Sequence, residues 1–514
     1  MPASKKKLLS ISNLKKYFPV GKESALKKAL YVRANEDITI DIYEGETLGL
    51  VGESGCGKST FGRVLLQLYP QTAGSTMYYG RTLDELAPKY VTYTLKNARK
   101  MVEKYHQAQK KADEIEEHTK SLGDNISYEQ SNARDQAVFA AENALNNTAK
   151  ILGGFMVCPN IEEPANALYQ LQSARIELAK VRGQKELAQK KSAKSSKASQ
   201  YDGKIAELEK KCAECAAVVE QEKEKYKDLP DFARYEAMRD DGVDLSRLTY
   251  GEIRKLRQDL QIVFQDPYSS LNPRLTVGQI IEEGLVTHHM FAKGSEEAKQ
   301  HILETMRKCG LQDYMLHRYP HQFSGGQRQR ICIARALAVN PKFVVCDECV
   351  SALDVSIQSQ IINLLQELKE EQHLTYLFIS HDLSVVKYIS DRIGVMYLGN
   401  MVELADKETI FKDPRHPYTV ALLSSIPTTD PDSATRDKII LEGNIPSPIK
   451  PPSGCKFHTR CYMATEKCAR ITPPLTEVEP NHFCACHYPE RKLDEQGNYL
   501  VGLAKASNSE AELA

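Results

Sequence analysis

The chain has 514 residues, too many for one ordinary domain, and its 68 Lys+Arg balance 68 Asp+Glu. A formal net charge of zero gives no global electrostatic reason to expect nucleic acid or an anionic membrane as partner. The basic start lacks the apolar core of a signal peptide, and no apolar run approaches the roughly 20 residues of a spanning helix; a cytosolic chain is expected, reaching any membrane through a partner.

Short alternating runs at 8–11, 31–34 and 38–42, separated by Gly21-Lys22 and Glu44-Gly45-Glu46, predict antiparallel strands. Phe18 ends the first, and its ring is a candidate to stack on a nucleotide base; an ordinary strand-end aromatic is the alternative. Residues 47–51 read as a buried strand, and Phe61 onwards as a helix. Between them stands Gly52-Glu53-Ser54-Gly55-Cys56-Gly57-Lys58-Ser59-Thr60, the pattern GxxxxGK[ST] in a strand–loop–helix setting. The glycines let backbone N–H groups turn inward around a polyphosphate, and the helix N-terminus adds partial positive charge. Lys58 can reach the β- and γ-phosphates, and the Ser59 hydroxyl can ligate Mg²⁺.

From 89 to 242 the chain turns rich in Lys, Glu, Ala and Gln. Apolar or small residues recur at steps of three and four, most clearly Ile205, Leu208, Cys212, Cys215, Val219 and Tyr226, which is a coiled-coil spacing. Breaks at Gly123-Asp124, Gly153-Gly154 and the Ser/Lys stretch 191–199 predict helices folding back on one another, and a helix over 205–226 would be roughly 33 Å long. Cys212 and Cys215 could pass for a redox or zinc half-site. Both sit on the seam, however, so the core reading is preferred.

The globular pattern resumes at 243. Residues 260–264 form an apolar strand ending in Gln265, and a helical section follows to about Tyr319. Ser324-Gly325-Gly326-Gln327 then caps a strong helix former. Residues 343–346 are a strand closed by Asp347-Glu348, and 376–380 another closed by His381. Polar residues just past apolar strands are where an open parallel sheet binds ligand.

Taken in order, these residues resemble the nucleotide-binding subunit of an ATP-binding cassette (ABC) transporter, over residues 8–80 and 243–420. The resemblance implies an α/β fold: a P-loop ABC-type nucleotide-binding domain with an antiparallel β subdomain, a mixed or parallel core sheet and a helical signature subdomain. The expected division is 1–88 and 243–420 as the ATPase, 421–498 as a small Cys-rich C-terminal domain and 499–514 as a tail; 89–242, which the resemblance does not cover, is read from its spacing as an inserted coiled-coil hairpin. The resemblance also implies Mg²⁺ held at Ser59, Gln265 and Asp347, Glu348 as general base, and His381 at the γ-phosphate beside Lys58. Ser324, Gly325, Gly326 and Gln327, with Asp354 in the following loop, would act across a head-to-tail dimer on the partner's nucleotide. One departure is Cys349, where the family usually has proline; with Glu348 and His381 present, a competent site is still expected.

After Arg415-His416-Pro417-Tyr418, the run Leu441–Pro448 and the motif Cys455-Lys456-Phe457-His458-Thr459-Arg460-Cys461 resemble the C-terminal extension of oligopeptide/dipeptide (and nickel) importer ATPases. That implies peptide import, two transmembrane permease subunits, a second, non-identical ABC ATPase, an extracytoplasmic peptide-binding protein, and a place on the cytoplasmic face of the cell membrane. Cys455, Cys461, Cys468 and Cys486 resemble the ligands of a [4Fe–4S] cluster. Zinc is the chemical alternative, metal-free buried thiols a third, and Cys484 competes with Cys486 for the fourth place. The insertion is read as an arm for a further protein or as a functionless excursion. A soluble ABC ATPase of translation or DNA repair is the competing function; no nucleic acid is expected as partner.

Overall fold

A computed structural model describes residues 5–20, 30–121, 128–191, 200–426 and 439–489. The expected turn at Gly21-Lys22, the break at Gly123-Asp124, the stretch 192–199 and the tail 499–514 lie outside the described residues. The described strands are β1 (Lys7–Val20), β2 (Leu30–Tyr43), β3 (Thr47–Val51), β4 (Ala73–Tyr78), β5 (Val243–Asp244), β6 (Leu260–Val263), β7 (Phe343–Asp347), β8 (Thr375–Ile379), β9 (Arg392–Tyr397), β10 (Asn400–Asp406), β11 (Thr476–Glu479) and β12 (His482–Cys484). Two compact units emerge: Met1–Lys7, Leu14–Thr72 and Lys255–Ala514 form the first, Leu8–Asn13 and Ala73–Arg254 the second.

The first unit is built on a mixed eight-stranded sheet in the order β11-β12-β10-β9-β3-β8-β7-β6. The five strands from β6 to β9 in that order run parallel, and β10, β12 and β11 are added antiparallel. Strands β3, β7 and β8 are buried at every residue, which explains their unbroken apolar runs. Leu50 lies opposite both Ile379 and Gly394, and Cys346 opposite both Phe378 and Val263. This register brings the C-terminal ends of β3, β6, β7 and β8 to one edge. The runs expected at 31–34 and 38–42 are a single strand, β2, because Asp37 takes a left-handed conformation (φ 56°) within it instead of ending it.

The C-terminal extension is not a domain apart. Its β12 pairs with β10, setting Cys484 opposite Glu403, so the extension covers what would be an open sheet edge. The buried Glu403 carboxylate ties it down, accepting the N–H groups of Arg415 (2.6 Å) and His416 (2.9 Å) and bonding His482 Nε2 (2.8 Å).

Beyond the expected insertion, the second unit takes in Leu8–Asn13 and the strands β4 and β5. They pair antiparallel, Met77 opposite Asp244 and Tyr78 opposite Val243. Tyr90 Oη accepts the Asp244 N–H (2.9 Å), and Glu252 accepts the Lys89 N–H (2.8 Å). Four long helices follow: Ala98–Ser121, Tyr128–Leu152, Glu162–Lys191 and Gln200–Tyr226. The first two meet at Ala112, Ala137 and Ala141, the last two at Leu178, Val181 and Leu208, giving two packed pairs where one hairpin was expected. The break at Gly153 is a left-handed turn (φ 57°) into a 3₁₀ helix, with the next N–H donated to Glu236. Cys212 and Cys215 are half-buried against these seams.

Candidate active site

The loop after β3 depends on glycine at two positions. Gly52 (φ 147°) would put a Cβ 2.2 Å from Met396 O, and Gly57 (φ 102°) one 2.1 Å from Ala34 O. Asn35 Nδ2 holds the Gly57 carbonyl at 3.1 Å. Helix α1 (Lys58–Leu65) starts at Lys58, and Ser54 and Gly55 are exposed at the loop's crown. Lys58 is buried, its ammonium folded onto the loop's own carbonyls at Gly52 (2.7 Å) and Glu53 (3.1 Å), with Cys56 Sγ at 3.7 Å. Those are the positive charge and the concavity that a triphosphate would take over.

Ser59 Oγ donates to Asp347 Oδ1 at 2.6 Å, joining the loop to the end of β7. Arg63 Nη2 meets the other oxygen, Asp347 Oδ2, at 3.3 Å. Arg63 went unnoticed in the sequence, although its position four residues after Ser59 sets both on one helical face.

Beside them Glu348 takes a left-handed conformation (φ 48°), anchored by its N–H to Ile379 O at 3.0 Å. Its Oε2 accepts from Gln265 Nε2 at 3.0 Å and lies 3.6 Å from His381 Nδ1. The ends of β6, β7 and β8 thus bring together Gln265, expected at Mg²⁺, with Glu348, expected as general base, and His381, expected at the γ-phosphate. Cys349, in the place of the family's usual proline, is buried in the core with its thiol against Cys346. That contact, together with burial, pushes the Cys346 thiol well above its ordinary value.

Ser324 caps the helix Gly325–Leu337 in a reciprocal box with Gln327, its hydroxyl accepting the Gln327 N–H at 3.3 Å. Asp354 caps the helix Val355–Gln372 through Ile357 N–H (3.0 Å), and the two helices abut where Gly326 faces Ile357. Among the described residues, no hydrogen bond of Ser324, Gln327 or Asp354 reaches the phosphate loop. Phe18 stands edge-on to Tyr69 (5.4 Å), with Lys16 Nζ over its face.

Cys455, Cys461, Cys468 and Cys486 line one small pocket, of about 10 Å³, with His416, Phe457 and Tyr488. Cys484 is buried in β12 and is not among the lining residues. Burial pushes the Cys461 thiol to about 12 and the Cys486 thiol to about 11, neighbouring thiols adding to it, and raises Cys455 as well. Backbone N–H groups of Met463 and Tyr488 point at the Cys461 and Cys486 sulfurs, each at 3.4 Å. Among the described residues, no group of three or more His, Cys, Asp or Glu side chains is arranged to hold a metal ion. No described helix is long and apolar enough to cross a membrane.

The family model described as "ABC transporter" matches residues 35–213 and 234–351; that described as "Oligopeptide/dipeptide transporter, C-terminal region" matches 402–468. The chain is 54% identical over 248 residues to the oligopeptide transport ATP-binding protein AppF of Bacillus subtilis (strain 168), covering 48% of this chain and 75% of that one. It is 35% identical over 482 residues to the putative oligopeptide transport ATP-binding protein YkfD of the same organism, covering 93% and 95%. To OppF of Haemophilus influenzae, an oligopeptide transport ATP-binding protein, it is 50% identical over 246 residues, covering 48% and 74%. A match over 93% of this chain runs through most of 89–242, so YkfD carries a counterpart of the insertion. By sequence and by site the chain belongs to the ABC transporter ATPases, and within them to those bearing the oligopeptide/dipeptide-transporter C-terminal region.

Proposed function

We propose that this chain binds and hydrolyses ATP to drive import of oligopeptides or dipeptides across the cytoplasmic membrane. The observation that carries the reading is the convergence of Gln265, Glu348 and His381 beside the Ser59–Asp347 pair, in a chain related to oligopeptide transport ATP-binding proteins. The loop N–H groups from Gly52 to Thr60 and the Lys58 ammonium bind the phosphates. Ser59, Asp347 and Gln265 offer the hard oxygen ligands that suit Mg²⁺, which when bound neutralises phosphate charge. Glu348 takes the proton of the attacking water, held in place by Gln265 and His381. Phe18 is the base-stacking candidate. The Ser324–Gln327 cap, with Ser324 exposed, and the exposed Asp354 serve the nucleotide of a second ATPase subunit, which is consistent with their making no bond to their own loop.

The partners on this reading are two permease subunits, a non-identical ATPase and, indirectly, an extracytoplasmic peptide-binding protein, with the chain on the cytoplasmic face of the membrane. The thiol pocket is read as the seat of a [4Fe–4S] cluster on Cys455, Cys461, Cys468 and Cys486. What supports the reading is that four thiols line one pocket and that two of them have N–H groups aimed at sulfur, the donor type such a cluster takes; zinc on the same thiols is the alternative. The helical insertion is read as a coiled-coil arm that binds a further protein. In a complex with the permeases in proteoliposomes, ATP hydrolysis should accompany peptide uptake, and Glu348→Gln should stop both; peptide uptake that continues in the Glu348→Gln complex would refute the reading.

A further inference from the structure

Arg460 closes the short 3₁₀ turn His458–Arg460, immediately before Cys461. Its guanidinium does not point at the pocket. Nη1 donates to Glu53 Oε2 at 2.8 Å and Nη2 to Glu53 Oε1 at 3.0 Å, a two-pronged ion pair in the phosphate loop. The Arg460 side chain is 7% exposed and that of Glu53 23%, and Arg460 Nη1 also lies 3.4 Å from Tyr397 Oη. The Glu53 carboxylate holds the Arg460 guanidinium above its ordinary value.

Glu53 is gripped at every polar group. Its N–H donates to Tyr418 Oη at 2.8 Å, and its carbonyl accepts from Lys58 Nζ at 3.1 Å. Tyr418, Tyr397 and Phe457 form one aromatic cluster, with centroids 4.8–5.4 Å apart. Phe457 and Arg460 both come from the C-terminal extension, so residues far from the ATPase motifs set the shape and charge of the loop. A carboxylate at this point of a phosphate loop would repel a polyanion unless a cation stood against it. Arg460 is that cation, and its fork geometry pins Glu53 as well as neutralising it.

We propose that Arg460 is a positioning residue for the phosphate loop, making ATP affinity depend on the C-terminal extension through Glu53. The proposal rests on the ATP site and is independent of what the thiols hold. It is tested on the full chain by equilibrium binding of a fluorescent ATP analogue with Mg²⁺, with thermal unfolding and bound iron measured on each variant. Arg460→Gln should raise Kd about tenfold through the uncompensated charge, and Arg460→Lys, keeping charge but not the fork, about threefold. Adding Glu53→Gln to Arg460→Gln should return Kd to within about twofold of Glu53→Gln alone, which a merely structural loss would not do. A double variant that binds no better than Arg460→Gln, or an Arg460→Gln chain that binds like the unaltered one, overturns the proposal. Should Arg460→Gln fail to fold, Arg460→Lys carries the test, and an unchanged Kd there overturns it equally. Failure of the ATP reading would show differently, as no binding by the unaltered chain.

Discussion

Gln265 and Glu348, 83 residues apart in the chain, are joined by a 3.0 Å hydrogen bond across the ends of β6 and β7. His381 Nδ1 stands 3.6 Å from the same Glu348 oxygen. One carboxylate therefore sits between a neutral donor and an imidazole, the arrangement a base needs to accept a proton from water without losing its place.

Glu348→Gln is isosteric and keeps a polar group in contact with Gln265, so nucleotide binding should survive. Hydrolysis in the assembled complex should fall by about a hundredfold or more, the usual worth of a general base. Single-turnover hydrolysis and equilibrium binding on the same variant check the two halves. Unchanged hydrolysis would remove Glu348 from the chemistry.

The Ser59–Asp347 contact predicts a metal-linked defect. Asp347→Asn keeps the 2.6 Å partner of Ser59 but removes the negative charge that Arg63 and a bound cation share. The Mg²⁺ concentration that half-saturates nucleotide binding should rise about tenfold or more, while binding measured without metal changes little. A titration with Mg²⁺ at fixed nucleotide separates these outcomes.

The thiol pocket predicts unequal cysteines. Serine at Cys455, Cys461, Cys468 or Cys486 should lower the iron and sulfide recovered from anaerobically purified protein. Cys484→Ser should spare them, because Cys484 lies in β12 and does not line the pocket. One equivalent of zinc with no sulfide would replace the cluster by a zinc site.

His416 predicts an acid sensitivity. Burial lowers its pKa from 6.5 to about 4, and its Nδ1 accepts the Tyr418 N–H. Below pH 6.5 the unfolded chain takes up a proton that the folded chain refuses, so this contribution to stability is complete above pH 6.5 and is lost as pH falls toward 4. By pH 5 the loss is about 2 kcal/mol. Denaturant unfolding at pH 7.5 and pH 5 should show a smaller difference for His416→Asn, which cannot titrate, than for the unaltered chain.

Much of the site was legible in the chain because each part is local. A glycine pattern between a strand and a helix, Asp347-Glu348 after an apolar strand, and Ser-Gly-Gly-Gln before a helix former each need only neighbours in sequence to be read. The seams of the inserted helices were legible for the same reason, since their period is set by the turn of one helix. The pairing of those helices two by two was not, because it depends on which seams fit one another.

What sequence alone determined is the chemistry available: a phosphate loop, two acidic residues and a histidine at strand ends, and four cysteines close enough in the chain to act together. What only the tertiary structure decided is which distant groups meet. Strand β12 joins the main sheet by pairing with β10, Arg460 of the extension meets Glu53, and Tyr418, from just before the extension, meets the loop backbone. No spacing in the chain encodes such contacts; they arise from strand register and from burial of Phe457 among aromatic rings.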